Sequence, residues 1–511
     1  MARRERSWLP SIRLLLCGLT LVVVASLSIL ATRFLDLDHD PRQLRWTQEE
    51  QRVPPLTPAQ DLSDVPPSST SDNIWSSKLA DYYYGCNKPS SNYSAPPYAT
   101  NGFLLIQASG GLNQQRIGIT DAVVVARILN ATLVVPSLDH TSFWKDNSNF
   151  SDIFDIDWFI ATLAQDVRIV KELPTRLKNP ISLRVPRKST PHYYQKSVLP
   201  TLVRKNAVRL TKFDYRLANN LSTDLQKLRC RVNYDALQFT GPIEGMGRTL
   251  VQRMKSMSGG RFIALHLRYE PDMLAFSGCY YGGGDREVRE LASIRKRWKN
   301  LRVRSPERER RNGKCPLTPM EVGLMLRALG FSNETYLYVA SGDIYGGEST
   351  LAPLRALFPH FFTKESLASD KEMEQFSRYS SRMAAIDYIV CNQSDVFVTN
   401  NNGNMARILA GHRRYAGHKR TIRPNAKKLG SFFGLRQEMG WEQFAAKLRS
   451  LQKGFMGDPM ERSSRRDIFE NPRVCICDKT HEVEERGEWM GDEEDELFNI
   501  DEVLLEHEPD E

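Results

Sequence analysis

A chain of 511 residues has room for about two to four domains at the usual domain size, and its 26% charged and 41% hydrophobic content places it among ordinary globular proteins. Wholesale disorder, a collagen-like repeat and a disulfide-dense miniprotein are excluded. The net charge of +9 is lopsided: residues 478–511 carry 16 acidic and 2 basic side chains, leaving +23 on the remainder, a basic body with an acidic tail.

In chain order, residues 1–13 form a short basic segment with Arg3, Arg4, Arg6 and Arg13. Leu14 to Thr32 follows, 19 residues without a charge, long enough to cross a ~30 Å hydrocarbon core as a helix. The basic flank keeps the N-terminus cytosolic and sends everything beyond into the secretory lumen. The run has no clear small-residue cleavage site, which favours an uncleaved anchor over a signal peptide. Residues 33–75, with Pro41, Pro54, Pro55, Pro58, Pro66 and Pro67, lack hydrophobic periodicity and are expected to be a stem.

A lumenal body agrees with sequons at Asn92, Asn130, Asn149, Asn220 and Asn333; a sixth, Asn392, sits among apolar residues where a glycan would hardly fit. Seven cysteines lie past the anchor: Cys86, Cys230, Cys279, Cys315, Cys391, Cys475 and Cys477. The number is odd, so one is left over if the others pair, and Cys475 and Cys477 form CxC rather than a zinc-type CxxC. A lumenal body also argues against nucleic acid as a partner.

The body alternates short apolar runs with helical patterns and has no internal repeat, which predicts parallel α/β sheets. Gly102 to Ala108 reads as a strand, Ser109-Gly-Gly-Leu-Asn-Gln-Gln-Arg116 as a glycine turn, the stretch through Leu129 as a helix and Thr132 to Pro136 as a second strand. Such a βαβ unit aims a helix N-terminus at the ligand crevice. Arg261 to Arg268 is a further strand that presents His266 and Arg268 on one face, followed by Glu270 and Asp272. Thr335 to Ala340 runs into Ser341-Gly-Asp343. Ala384 to Val390 and Asp395 to Val-Phe-Val-Thr399 follow, read as strands, the latter running into Asn400-Asn-Asn-Gly-Asn404. Polar termini of this kind converge on one nucleotide crevice if the sheets are parallel.

Asp285 to Lys314 holds 12 Lys or Arg against 5 Asp or Glu and reads as a solvated insertion, with an anion-attracting surface as the other reading. Asp155-Ile-Asp157 has the spacing of a metal-holding DxD, but it lies in a Phe/Ile-rich stretch suited to a helix start. Trp441, Phe444, Leu448 and Leu451 predict a last amphipathic helix, and residues 478–511 a disordered acidic tail.

Taken together, HLRYEPDM (His266 to Met273), SGGLNQQR (Ser109 to Arg116), VASGDIYGGE (Val339 to Glu348) and the block from Val396 to Asn425 resemble the plant O-fucosyltransferase-like family. The resemblance spans roughly Lys78 to Asn425. It implies an α/β fold of two facing Rossmann-like domains (glycosyltransferase B type) at about 76–250 and 251–430, with 431–477 a packing helix and C-terminal segment. It also implies a Golgi membrane enzyme, single-pass with its body lumenal, that uses a nucleotide-sugar and no metal or other cofactor. The donor would be GDP-fucose, or UDP-rhamnose as in pectin-modifying relatives; the acceptor would be a hydroxyl of a glycan, cell-wall polysaccharide or glycoprotein. A non-catalytic glycan-binding protein of the same fold is the alternative of another class.

Carried onto this sequence, the resemblance assigns donor contacts to Gly111, Leu112, Asn113, His266, Arg268, Asp343, Gly403 and Asn404. Arg268 would neutralise the departing diphosphate, since a guanidinium fork fits phosphate oxygens. Its competing role is a strand-end ion pair with Glu270 or Asp272. Some related enzymes carry a carboxylate in the early glycine turn, where this chain has Asn113 and Gln114, so the base falls to Asp272, Glu270 or His266, with Asp272 preferred. A single-displacement, inverting transfer is implied.

Overall fold

The computed structural model describes residues 74–479 apart from 78–79, 142–143, 178, 299–300, 302–304 and 459–467. The expected anchor, nearly all of the stem and the tail beyond Lys479 lie outside the described residues. Among those described, no helix is long and apolar enough to cross a membrane.

After a short strand β1 (Tyr83–Gly85), the chain builds β2 (Phe103–Ala108), helix α1 (Leu112–Ile128), β3 (Thr132–Val134), β4 (Ile169–Val170), β5 (Ile181–Leu183) and β6 (Ala207–Phe213). These last five strands form one parallel sheet in the order β4-β3-β2-β6-β5. A second parallel sheet uses β7 (Ile263–His266), β8 (Leu337–Ala340), β9 (Phe361–Phe362), β10 (Val396–Thr399) and β11 (Thr421–Ile422) in the order β11-β10-β7-β8-β9. In both sheets the first strand is central. The chain steps outward on one side, then returns to the other, so the direction of winding reverses beside β2 and beside β7. Ligands of doubly wound sheets bind outside the carboxyl ends of the strands at that reversal.

The strands are short and buried on both faces: all four residues of β7, β8 and β10 are buried, as expected of parallel sheets covered by helices. Helix α1 is likewise enclosed, with 14 of its 17 residues buried. Helix α2 (Ile156–Thr162) begins at the DxD element, where Asp155 accepts from Trp158 N at 2.9 Å as an N-cap and the exposed Asp157 pairs with Lys171 at 2.7 Å. Both carboxylates have ordinary structural partners.

Helix α3 (Gly241–Ser258) runs through position 250 and packs on helix α5 (Ser380–Gln393), which follows α4 (Pro271–Ser277) in the second half of the body. Helix α5 corrects one expectation: Ala384 to Val390 is helical, not a strand. Residues 385–391 are buried without a break, so no exposed polar face marks a helical period, and a short buried run broken only by Asp387 does not distinguish the two states. Helix α6 (Asn404–Tyr415) follows β10, and α7 (Trp441–Gln452) buries Phe444, Ala445 and Leu448 against the second core.

The chain end returns to the start of the body. Strand β12 (Ile476–Asp478) pairs antiparallel with β1, and Cys475 and Cys477 bond to different partners, Cys230 and Cys86. Cys279–Cys315 closes the basic insertion, leaving Cys391 as the free, buried thiol among the described residues. Asn92, Asn149, Asn220 and Asn333 are exposed, Asn130 and Asn392 half-buried.

Candidate active site

Strand β2 delivers the chain to Gly110, whose φ of +85° is left-handed and suits glycine. The turn is pinned from below: Gly110 N donates to Asp139 Oδ2 at 2.9 Å, while the Gln115 amide donates to Gly110 O at 2.8 Å and accepts from Asp139 N at 2.9 Å. Helix α1 then starts on Gly111, an N-cap without a side chain, so the N–H groups of the first turn are left for another acceptor. Leu112 and Asn113 are buried in that turn, and Asn113 Oδ1 has no hydrogen-bond partner among the described residues. The ring of Trp144 covers Gly111 so closely that a Cβ there would stand 3.1 Å from it. One turn on, Arg116 is structural: it is fully buried, donates to the carbonyls of Asn233 (2.8 Å) and Leu237 (3.3 Å), and stacks on Phe154, Phe239 and Tyr388.

The end of β6 adds residues that the sequence did not single out. Asp214 accepts from Gln114 at 3.0 Å, Arg187 at 3.2 Å and Arg216 at 3.3 Å. Tyr215, at φ +46°, donates its hydroxyl to Asn404 Oδ1 in the opposite half of the body. Asn404 opens α6 immediately after Gly403, a second N-cap without a side chain. The two sheets thus present the same device, a glycine-capped helix at the reversal of winding, and Tyr215 ties one to the other.

Strand β7 ends at His266, opposite Thr399 and Ala340. His266 is buried, its Nδ1 has no hydrogen-bond partner among the described residues, and burial with help from Arg268 and Lys364 lowers its pKa to about 3. It is therefore neutral near pH 7 and a poor proton acceptor. The buried amide of Asn400 clamps the backbone of Arg268, accepting from its N–H at 2.8 Å and donating to its carbonyl at 3.2 Å. The Arg268 side chain, 19% exposed, stands 3.9 Å from Glu270 through Nε and reaches Met273 Sδ through Nη2. Burial raises the Glu270 carboxyl pKa, against the pull of Arg268. Asp272 lies half-buried in the first turn of α4, and Asp343 is exposed in the turn after β8. That turn is laced to β7: Ser341 Oγ donates to Leu267 O at 2.8 Å, and the buried Lys364, paired with Asp387 at 2.9 Å, donates to Ser341 O at 2.8 Å.

The expected site residues accordingly occupy three strand ends and two helix starts. Gly111, Leu112 and Asn113 stand at the first sheet; His266, Arg268, Glu270, Asp272 and Asp343 stand at β7 and β8; Gly403 and Asn404 stand at α6. Asp139, Trp144, Arg187, Asp214, Tyr215 and Lys364 went unnoticed, and the clamping role of Asn400 was not assigned. Asn400 alone had a signal, as the first residue of the Asn-rich run after β10.

Two doubly wound parallel sheets whose winding reversals are joined by a hydrogen bond define an α/β protein of the crevice-binding class. The chain belongs to the GDP-fucose protein O-fucosyltransferase family, a family of glycosyltransferases, whose model matches residues 103–416, from the start of β2 to just past α6. It is 56% identical over 467 residues to O-fucosyltransferase 16 of Arabidopsis thaliana, covering 90% of this chain and 81% of that one. Over 433 residues it is 60% identical to O-fucosyltransferase 29 of the same plant (83% and 78% covered). Rhamnogalacturonan I rhamnosyltransferase 1, also from Arabidopsis thaliana, is 43% identical over 397 residues (74% and 78% covered). A crystal structure of POFUT1 in complex with GDP aligns with 13% identity over 63% of this chain and 98% of that one, at a TM-score of 0.40, too distant to support an argument.

Proposed function

We propose that this protein transfers fucose from GDP-fucose to a hydroxyl of a glycan or protein, in one inverting step and without a metal, in a crevice between two Rossmann-like halves of glycosyltransferase B type. The observation that carries the reading is the pair of glycine-capped helices, α1 and α6, set at the two winding reversals with Arg268 held beside them. Backbone N–H groups and a guanidinium are the donors a departing nucleoside diphosphate requires.

In this reading the acceptor oxygen attacks the anomeric carbon, the bond to the diphosphate breaks, and Arg268 with the helix starts takes up the charge. Glu270, its proton affinity raised by burial, receives the acceptor proton in preference to Asp272. Neutral His266 shapes the donor pocket without exchanging a proton. The calibrating experiment is calorimetric titration of the full-length chain in detergent with GDP-fucose, UDP-rhamnose and GDP-mannose, followed by transfer assays. Binding of GDP-fucose is expected. Binding of UDP-rhamnose alone would favour a rhamnosyltransferase, a reading supported by the 43% identical relative. Failure of all three would remove the glycosyltransferase reading and leave a glycan-binding protein.

The same proposal includes a single-pass Golgi membrane topology with the body in the lumen. It is supported by the uncharged run at 14–32 with its basic flank and by three disulfides, which persist in oxidising compartments. The exposed sequons at Asn92, Asn149, Asn220 and Asn333 suit glycans, whereas Asn130 is half-buried and its amide donates to Ala99 O at 3.1 Å. Digestion of the body by protease added to sealed microsomes would overturn it.

A further inference from the structure

Residues 468–479, which end in β12, form a strap that lies beyond the stretch 103–416 matched by the family model. The strap is fixed covalently to the first half of the body. Cys475 bonds to Cys230, the last residue of the helix Thr223–Cys230, and Cys477 bonds to Cys86 just past β1. Its other end is held to the same half by Tyr234, whose hydroxyl donates to Ile468 O at 2.6 Å. Between these attachments it runs along α6, which belongs to the second half. Gly411 faces it so closely that a Cβ there would stand 2.2 Å from Phe469 O, and Arg414 Nη1 donates to Glu470 O at 2.8 Å. Arg407 Nε stands 3.9 Å from the Glu470 carboxylate. Positions 407, 411 and 414 share one helical face, so the strap follows most of α6.

Glu470 also pairs with Arg423, just past β11. The three side chains are at most 19% exposed, so their charges are screened less than surface charges would be. Arg407 is where the strap meets the donor side of α6. Side chains of a helix lean toward its N-terminus. Accordingly, Arg407 Nη1 donates to the Tyr215 hydroxyl at 3.4 Å, and that hydroxyl donates onward to Asn404 Oδ1. A run of polar contacts therefore leads from Glu470 through Arg407 and Tyr215 to the first residue of α6.

We infer that Glu470 is a positioning residue of the donor site, acting through Arg407 on the Tyr215–Asn404 bridge and so on the N–H groups that open α6; the inference rests on the glycosyltransferase reading above. A pair at 3.9 Å adds little to stability. Its effect is on direction. Arg407 and Arg423 share the one carboxylate, and without its charge the two guanidiniums repel each other, which turns Arg407 away from Tyr215. The two disulfides keep the strap in place whether or not Glu470 is charged. Loss of the carboxylate is therefore felt in the site and hardly in the fold.

The test uses the full-length chain in detergent, calorimetry with GDP-fucose as the probe, and thermal unfolding of the same samples. Glu470→Gln should bind GDP-fucose about 5-fold more weakly, with the melting temperature within a degree or two of wild type. Glu470→Asp keeps the charge and should stay within about 2-fold of wild type. Arg407→Gln reaches the same bridge from the helix side and should match Glu470→Gln. Combining Glu470→Gln with Tyr215→Phe should weaken binding no further than Tyr215→Phe alone, whereas independent sites would multiply their losses. Wild-type affinity in the Gln variant, equal loss with Asp and Gln, multiplied losses in the double variant, or a Gln variant that no longer folds would each overturn the inference, the last by making Glu470 a structural staple. A wild-type chain that binds no nucleotide-sugar would remove the donor reading and this inference with it. Wild-type binding beside an unaffected Gln variant would remove the inference alone.

Discussion

The Tyr215 hydroxyl donates to Asn404 Oδ1 and so bridges the crevice from the end of β6 to the first residue of α6. Arg407 Nη1 approaches the same hydroxyl at 3.4 Å. Because Tyr215 is held at φ +46°, its direction is set by the backbone rather than by rotamer choice alone. Tyr215→Phe keeps the ring and removes the bridge. A single net hydrogen bond is worth about 1 kcal/mol of stability, but the two helix starts also lose their fixed spacing, so donor affinity should fall by about 10-fold. Urea unfolding and calorimetry on the variant measure both; unchanged donor affinity would mean that the bridge only joins the two halves.

The two glycines of the first turn should respond differently to alanine. At Gly110, a φ of +85° strains any side chain, and the added Cβ would fall 2.3 Å from the Gln114 amide, displacing it from Asp214. A loss of about 1 to 2 kcal/mol in stability is expected for Gly110→Ala. Gly111 has an ordinary φ of −68°, and its Cβ would meet only the Trp144 ring, at 3.1 Å. Gly111→Ala should therefore unfold close to the wild-type midpoint while losing nucleotide affinity. Equal destabilisation of the two variants would contradict this division.

Much of the fold was legible because β2, β7 and β10 are compact apolar runs ending in glycine, charge or asparagine, and each end proved to be a strand terminus. The helix at Ser380–Gln393 was not, because burial on every side erases the amphipathic period that separates helix from strand. Within the site, motif residues such as Gly111, Arg268 and Gly403 were legible, and their supports were not. Asn400 holds Arg268 through backbone atoms 132 residues away in sequence, and Asp214 reaches Gln114 across 100. Pairings of that kind follow from sheet order, which no local pattern encodes.

The DxD element gives a clean contrast between stability and chemistry. Asp155 caps α2 and Asp157 makes an exposed ion pair, so Asp155→Ala should cost about 1 kcal/mol and Asp157→Asn almost nothing. Transfer activity of the wild-type chain should survive EDTA. Loss of activity that Mn²⁺ or Mg²⁺ alone restores would return both carboxylates to the active site.

Acid should weaken the fold through its buried histidines. His266 is lowered to about 3 and His418, packed on the Tyr83 ring, to about 4, both chiefly by burial. In the unfolded chain they bind protons near pH 6.5; in the folded protein they do not until far lower. Between those limits the unfolded state holds more protons, so stability rises with pH and is lost as pH falls from about 6.5 toward 3. Each histidine adds at most about 1.4 kcal/mol per pH unit within its window. Melting curves at about pH 7, 5.5 and 4.5 should show the decline, and His418→Phe should flatten it. A variant as acid-sensitive as the wild type would place the titration elsewhere.

Arg268 separates a phosphate contact from a structural ion pair. Its backbone is fixed by Asn400 whatever its side chain does, and Nε lies 3.9 Å from Glu270, at the outer limit of an ion pair. A partly solvated pair at that distance contributes little, so Arg268→Ala should leave the melting temperature within a degree or two. The rate should respond far more. Removing a donor aimed at developing charge costs about 3 kcal/mol, roughly 100-fold, because the contact is strongest as the diphosphate leaves. Arg268→Lys should be nearly as slow, since an ammonium supplies a point charge where the guanidinium supplies a fork. If the Arg–Glu270 pair were instead the purpose of the residue, Lys would preserve the rate and Ala would lower both rate and melting temperature. Turnover and thermal unfolding of the two variants decide the matter, and a Lys variant with near-normal turnover would take Arg268 out of the reaction.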